Sequence, residues 1–158
     1  MSTPRARLTA QTTEQVRRQQ IAYDRFHDAV AAFFGVNRTD LRCLDLLDLR
    51  GRQAAGELSQ ATGLTTGAVT TMLDRLERAG YVQRVRDPDD RRRVLVEATD
   101  LARERAQAVY EPFDGLIAPL FGHFTDQQIT MIGEFLRITS EFYLTQIARI
   151  ETLARGNG

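Results

Sequence analysis

Gly67, Thr70 and Thr71 share the outward side of a short helical stretch, and the chemistry they offer is recognition rather than catalysis. Val69, Met72, Leu73 and Leu76 recur at i, i+3, i+4 and i+7 and therefore pack inward. Asp74, Arg75 and Arg78 are left facing out beside the glycine and the two threonines. Threonine hydroxyls hydrogen-bond phosphates and base edges, their methyls touch thymine, and a glycine lets a helix backbone come close. The DNA major groove is wide enough to admit such a helix. A face of small polar residues equally describes a plain solvated surface, so the helix alone does not decide between the two.

A second group follows directly. Asp87-Pro88-Asp89-Asp90 reads as a turn, and Arg91, Arg92 and Arg93 come next, between the strand-like runs Tyr81 to Arg86 and Val94 to Glu97. A hairpin tipped with arginines just after a groove-sized helix has the reach and charge to enter an adjacent minor groove, where narrow A·T tracts attract guanidinium groups. The alternative is a solvated turn whose arginines are neutralised by Asp87, Asp89 and Asp90. Alternation along a strand means that the three arginines cannot all point the same way.

Other reactive side chains are sparse. No Gly-rich phosphate loop, no His paired with Ser or Cys at motif spacing and no carboxylate pair in a recognisable site is visible, so an enzyme is not expected. One cysteine, Cys43, excludes an internal disulfide, and His27 and His123 are too far apart in sequence to suggest a metal cluster. No cofactor or metal is expected. Leu41, Leu44 and Leu47 frame Cys43 inside a helical pattern, where a thiol is buried, raised in pKa and inert.

The 158 residues, 42% apolar, suffice for one ordinary domain with a real core. All 21 basic residues are arginine, balanced by 21 acids. Their distribution is informative where the sum is not: residues 1–61 hold nine arginines against seven acids, 62–99 seven against six, and 100–158 five against eight. A nucleic-acid surface is therefore expected in the first two thirds. No apolar run reaches the roughly 18 residues of a membrane span, and the amino terminus lacks the apolar stretch of a signal peptide, so a soluble, cytoplasmic protein is expected.

The elements that must position these groups follow from periodicity and punctuation. A first amphipathic helix is predicted over 14–34 through Val16, Tyr23, Phe26, Val30 and Phe33, ended by Gly35. Thr39 offers an N-cap for a second helix, closed at Arg50-Gly51. Ala54 to Ala61 reads as a third helix, Thr62-Gly63-Leu64 as a tight turn, and Thr65 or Thr66 caps a fourth that runs to Ala79. Gly80 ends that helix and the hairpin follows. Thr99 caps a fifth helix from about Asp100 to Val109, with Pro112 and Pro119 expected to bend or interrupt it. Thr125 and Gln128 form a capping box for a last helix with a broad apolar surface from Ile129 to Ile147.

The strings Leu64-Thr65-Thr66-Gly67-Ala68-Val69-Thr70-Thr71-Met72-Leu73-Asp74-Arg75-Leu76, Ala79-Gly80-Tyr81-Val82 and Asp87-Pro88-Asp89-Asp90-Arg91-Arg92-Arg93-Val94-Leu95-Val96 resemble the core of the MarR (multiple antibiotic resistance regulator) family. The order of elements agrees over nearly the whole chain. The resemblance implies a mainly α fold with a small β-hairpin wing. In it, residues 37–99 form a winged helix-turn-helix, and helices over 14–34 and 100–153 form a dimerisation region. It implies a homodimer that regulates transcription, a repressor by the family's habit, on a pseudo-palindromic double-stranded DNA operator. The apolar faces of Val16 to Phe33 and Ile129 to Ile147 suit a dimer independently, although one intramolecular bundle would cover them too.

By position, the resemblance puts Thr65, Thr66, Gly67, Thr70 and Thr71 at the major groove and Arg92 in the minor groove, with Asp90 orienting it and Arg91 beside it. Arg75 either touches phosphate or braces the wing through an acid such as Asp90. Ala54-Ala55-Gly56, where a Ser or Thr cap is usual, and Ser59, where alanine is common, depart from the pattern. The resemblance further implies a small aromatic or lipophilic effector between dimer helices and winged domain, lined by Tyr23, Phe26, His27, Val30, Leu44 and Tyr110. Aromatic residues at helical spacing are also ordinary core. An oxidant sensor using Cys43 and a winged helix that binds protein instead of DNA are the alternative functions.

Overall fold

The structure, a computed structural model, describes residues 3–90 and 92–156. Helix α1 spans Pro4–Phe34, beginning ten residues before its apolar periodicity does. Thr3 caps it by accepting the Ala6 N–H at 3.2 Å, and Pro4 occupies a first-turn position where a missing N–H is harmless. The early turns carry no buried residue, and Thr9, Thr12 and Thr13 donate their hydroxyls to carbonyls four residues back. Periodicity marks only the part of a helix that packs, so this extension was invisible to it. Gly35 ends α1 in the left-handed region at φ 69°.

Helix α2 (Arg38–Arg50) is capped by Asn37, whose side chain accepts the Asp40 N–H at 2.9 Å. Thr39 is thus the second helical residue and not the cap. Both are capping types, and the cap falls to the asparagine, the stronger of the two. Strand β1 (Gln53–Ala54) precedes α3 (Ala55–Thr62), α4 (Thr66–Arg78), β2 (Val82–Arg86) and β3 (Val94–Ala98). The expected two-stranded wing is thereby a three-stranded antiparallel sheet of order β1-β3-β2, with Gln53 opposite Val96 and Val85 opposite Leu95.

Helix α5 (Asp100–Phe121) runs through Pro112 and Pro119, so the expected interruption does not occur. Each proline deletes one N–H from the ladder without ending it. Thr99 caps α5 by accepting the Ala102 N–H and donates to Gly80 O at 2.6 Å, which fastens the helix start to the turn after α4. Helix α6 (Asp126–Gly156) opens with the expected box: Thr125 N–H donates to Gln128 Oε1 at 2.8 Å, and the Gln128 N–H to Thr125 Oγ1 at 3.3 Å.

The chain divides into two compact units between Tyr110 and Glu111. In the first, Leu58, Val69, Met72, Leu73 and Leu76 are fully buried with Cys43 and Val96. This core clamps α4 against α2, α3 and the sheet. Tyr81 reaches across it to donate its hydroxyl to Phe34 O at 2.7 Å. In the second unit, α6 leaves Phe135, Leu136, Ile138, Phe142, Ile147 and Ile150 exposed. Among the described residues, no helix is long and apolar enough to cross a membrane, and no group of three or more His, Cys, Asp or Glu could hold a metal ion.

Candidate nucleic-acid interface

The α3–α4 turn sets the pitch of the exposed helix. Gly63 takes φ 72°, a left-handed conformation that other residues resist. Ser59 donates to Leu64 O at 2.6 Å, and Thr62 Oγ1 accepts the Leu64 N–H at 3.4 Å. The serine that departs from the family pattern thus locks the turn. The missing cap of α3 is offset likewise: Ala54 has no side-chain acceptor, but Glu57 Oε2 accepts the Ala54 N–H at 2.6 Å.

Thr65 is the α4 cap, accepting the Ala68 N–H at 3.3 Å. Thr66, Gly67, Thr70 and Thr71 all lie exposed along one side. The Thr70 and Thr71 hydroxyls donate to Thr66 O and Gly67 O, each at 3.0 Å, which leaves their lone pairs and methyls facing outward. Gly67 stands in open space. A Cβ there would meet nothing within 4 Å, yet a glycine inside a helix costs roughly 0.5–1 kcal/mol against alanine. A glycine kept where the fold has room for a side chain suits close approach of something outside the chain.

The wing separates its arginines. Asp87, 7% exposed, organises the tip by accepting the Asp89 N–H at 2.9 Å and the Asp90 N–H at 3.4 Å. Arg93 is held at the base, 3.4 Å from Glu57 and 3.6 Å from Asp87. Arg92 is exposed and forms no ion pair among the described residues, and its N–H donates to Asp90 Oδ1 at 3.0 Å. Asp90 thereby sets the backbone from which Arg92 projects. Arg91 lies outside the described residues.

Arg75 does not brace the wing through Asp90. Its Nε and Nη2 donate to the two carboxylate oxygens of Asp40 at 3.1 and 2.6 Å, a bidentate pair that ties α4 to the first turn of α2. Asp40 is only 3% exposed, so the pair satisfies a buried charge. The wing is braced by Arg84, which pairs with Asp74 at 2.6 Å and with Glu77. Neither brace shows in the sequence, because both partners are distant along the chain or unmarked by spacing.

Two residues to which the sequence assigned no part in binding adjoin this face. Arg38 and Thr39 line a cleft of about 490 Å³ between α2 and α4, together with Ala68, Thr71 and Arg75. A signal for Arg38 existed: a cation in the first helical turn opposes the helix dipole and needs another reason to be there.

Among the described residues, the clefts at the six expected effector positions divide them. Tyr23 and His27 line a cleft of about 260 Å³ between α1 and α2, with Arg38, Thr39, Leu41, Arg42 and Asp45. Their rings lie 4.0 Å apart, and His27 Nδ1 is 2.9 Å from Tyr23 O. Leu44 and Tyr110 line a separate cavity of about 40 Å³ bounded by Phe34, Ala102 and Ala106. Burial, and after it the Asp45 charge, holds the Tyr110 phenol above its ordinary range. Phe26 is half-buried and packs against the core, while Val30, 3% exposed, is core itself. Cys43 is fully buried, and desolvation, helped by Asp40, pushes its thiol up to about 12.

The family model described as MarR family matches residues 36–94, from just before α2 to the first residue of β3. The HTH-type transcriptional regulator YcgE of Bacillus subtilis (strain 168) is 35% identical over 126 residues, covering 80% of this chain and 82% of that protein. The fold is similar to that of a MarR family protein from Bacillus stearothermophilus (TM-score 0.66, 22% identity, 87% of this chain and 96% of that one). It is likewise similar to RV1404 from Mycobacterium tuberculosis (TM-score 0.65, 20% identity, 89% of this chain and 96% of that one).

Proposed function

We propose, from the premise that this chain belongs to the MarR family of winged helix-turn-helix DNA-binding transcriptional regulators, that it is a cytoplasmic homodimeric repressor of a pseudo-palindromic operator. Each copy lays the Thr65, Thr66, Gly67, Thr70 and Thr71 face of α4 in a major groove and inserts Arg92 in the flanking minor groove. The carrying observation is the pairing of these two features. A helix face with room left at Gly67 stands beside a wing whose Arg92 forms no ion pair among the described residues while Arg93 is spent on the fold. The exposed apolar row of α6 supports a second copy as its cover, since monomers seldom leave so much apolar surface in water.

Release follows when a small aromatic or lipophilic ligand enters the Tyr23–His27 cleft, which at about 260 Å³ has more room for one than the cavity of about 40 Å³ at Leu44 and Tyr110. A thiol as deeply buried as Cys43 gives no support to oxidant sensing.

The test is retardation of DNA from the region upstream of the chain's own coding sequence. Affinity is expected to fall by about a thousandfold between 50 and 200 mM salt if six or more phosphates are contacted. Absence of a shift across the flanking DNA would favour a winged helix that binds protein.

A further inference from the structure

We propose that Arg38 is an additional DNA-backbone contact, which the free protein holds on two α1 carboxylates and which a phosphodiester recruits. The inference rests on the DNA-binding reading above and adds a contact to it.

Arg38 stands at a junction. It lines the cleft against α4, where Thr71 and Arg75 face it, and also the cleft against α1, where Tyr23 and His27 do. Thr71 belongs to the exposed helix face, so a strand whose bases α4 reads would pass its backbone over the mouth of the first cleft. Of the two arginines there, Arg75 is committed to the buried Asp40. Arg38 is the one able to exchange partners.

Its present partners hold it weakly. Nη2 is 3.2 Å from Asp24 and Nε 3.4 Å from Asp28, longer than the roughly 2.7–2.9 Å of a strong charge-assisted bond. Both carboxylates are largely in water, where an ion pair contributes little. A phosphate offers the same guanidinium a bidentate acceptor and releases a condensed counterion as well. The position is otherwise unfavourable for a cation, because it is the first residue of α2 and faces the positive end of that helix's dipole. Arg42 and Asp45 face the α1 cleft alongside it and offset one another in charge.

The experiment measures binding of full-length protein, by fluorescence anisotropy across a salt series, to a duplex selected from random DNA with the wild type. Four variants are compared: Arg38→Ala, Arg38→Lys, Asp24→Asn with Asp28→Asn, and the triple Asp24→Asn/Asp28→Asn/Arg38→Ala. Arg38→Ala is expected to weaken binding about tenfold and to flatten the log–log salt slope by about one per protomer, while Arg38→Lys retains the slope. The Asp24/Asp28 variant is expected to bind several-fold more tightly, a gain that disappears in the triple variant. Wild-type affinity and slope in Arg38→Ala overturn the proposal, as does an undiminished gain in the triple variant, which would assign the effect to overall charge. A wild type that selects no DNA overturns the DNA-binding reading itself, and this inference with it.

Discussion

Arg92 and Arg93 are neighbours with opposite fates, and the difference is one of partners. Arg93 reaches Glu57 and Asp87, so its charge is used within the protein. Arg92 is exposed and forms no ion pair among the described residues, its backbone set by Asp90. Arg92→Ala is expected to weaken operator binding by about 1–3 kcal/mol while leaving the melting temperature unchanged. Arg93→Ala should do little to DNA affinity and cost at most about 1 kcal/mol of stability, the ordinary worth of exposed pairs. Parallel titrations and thermal melts of the two variants check both. Cys43 gives a pH prediction of definite sign. Its thiol is raised from an ordinary 9.0 to about 12, so the folded state keeps a proton that the unfolded state gives up. Stability is therefore fully present below pH 9 and declines as pH rises toward 12, at up to about 1.4 kcal/mol per unit. Urea midpoints measured from pH 8 upward should fall in the wild type, and the part due to this thiol should vanish in Cys43→Ala.

Between elements, the bidentate Arg75–Asp40 pair fixes α4 to α2. Removing the arginine strands a carboxylate that is almost wholly buried. Arg75→Ala is thus expected to lower stability by about 1–3 kcal/mol, seen as a smaller urea midpoint at unchanged m-value, and Asp40→Asn in the same chain should restore part of it. This pair also marks what could be read from sequence. Elements announced by local chemistry were legible: Gly35, Gly63 and Gly80 all take positive φ where turns were expected, and Thr65, Thr99 and Thr125 cap where caps were expected. Features decided at a distance were not. Strand β1 exists only because Gln53 and Ala54 pair with β3, more than forty residues on. The first turns of α1 pack on nothing and so carry no periodicity, and the prolines of α5 delete donors without supplying a stop signal that the helix obeys. The exposed face of α4 was legible residue by residue, whereas the division of labour among its arginines required the partners to be seen.

At the scale of the whole molecule, apolar surface is concentrated where a monomer should not have it. Phe142 is 57% exposed on α6, and Ile138, four residues back on the same face, is 51% exposed. If α6 pairs two copies as proposed, Phe142→Glu is expected to give monomer in sedimentation equilibrium and to weaken operator binding sharply, since each copy then reads one half-site alone. A dimer that persists would place the contact on another face. Cys43, fully enclosed, has a further consequence at this scale. With the one native thiol unreachable and no lysine anywhere in the chain, the folded surface is almost silent to maleimides and to amine-reactive esters. A single cysteine introduced at position 92 or 142 would carry a spin label or dye without first clearing the background, and each would report a separate event: the wing entering a groove, or one copy meeting another.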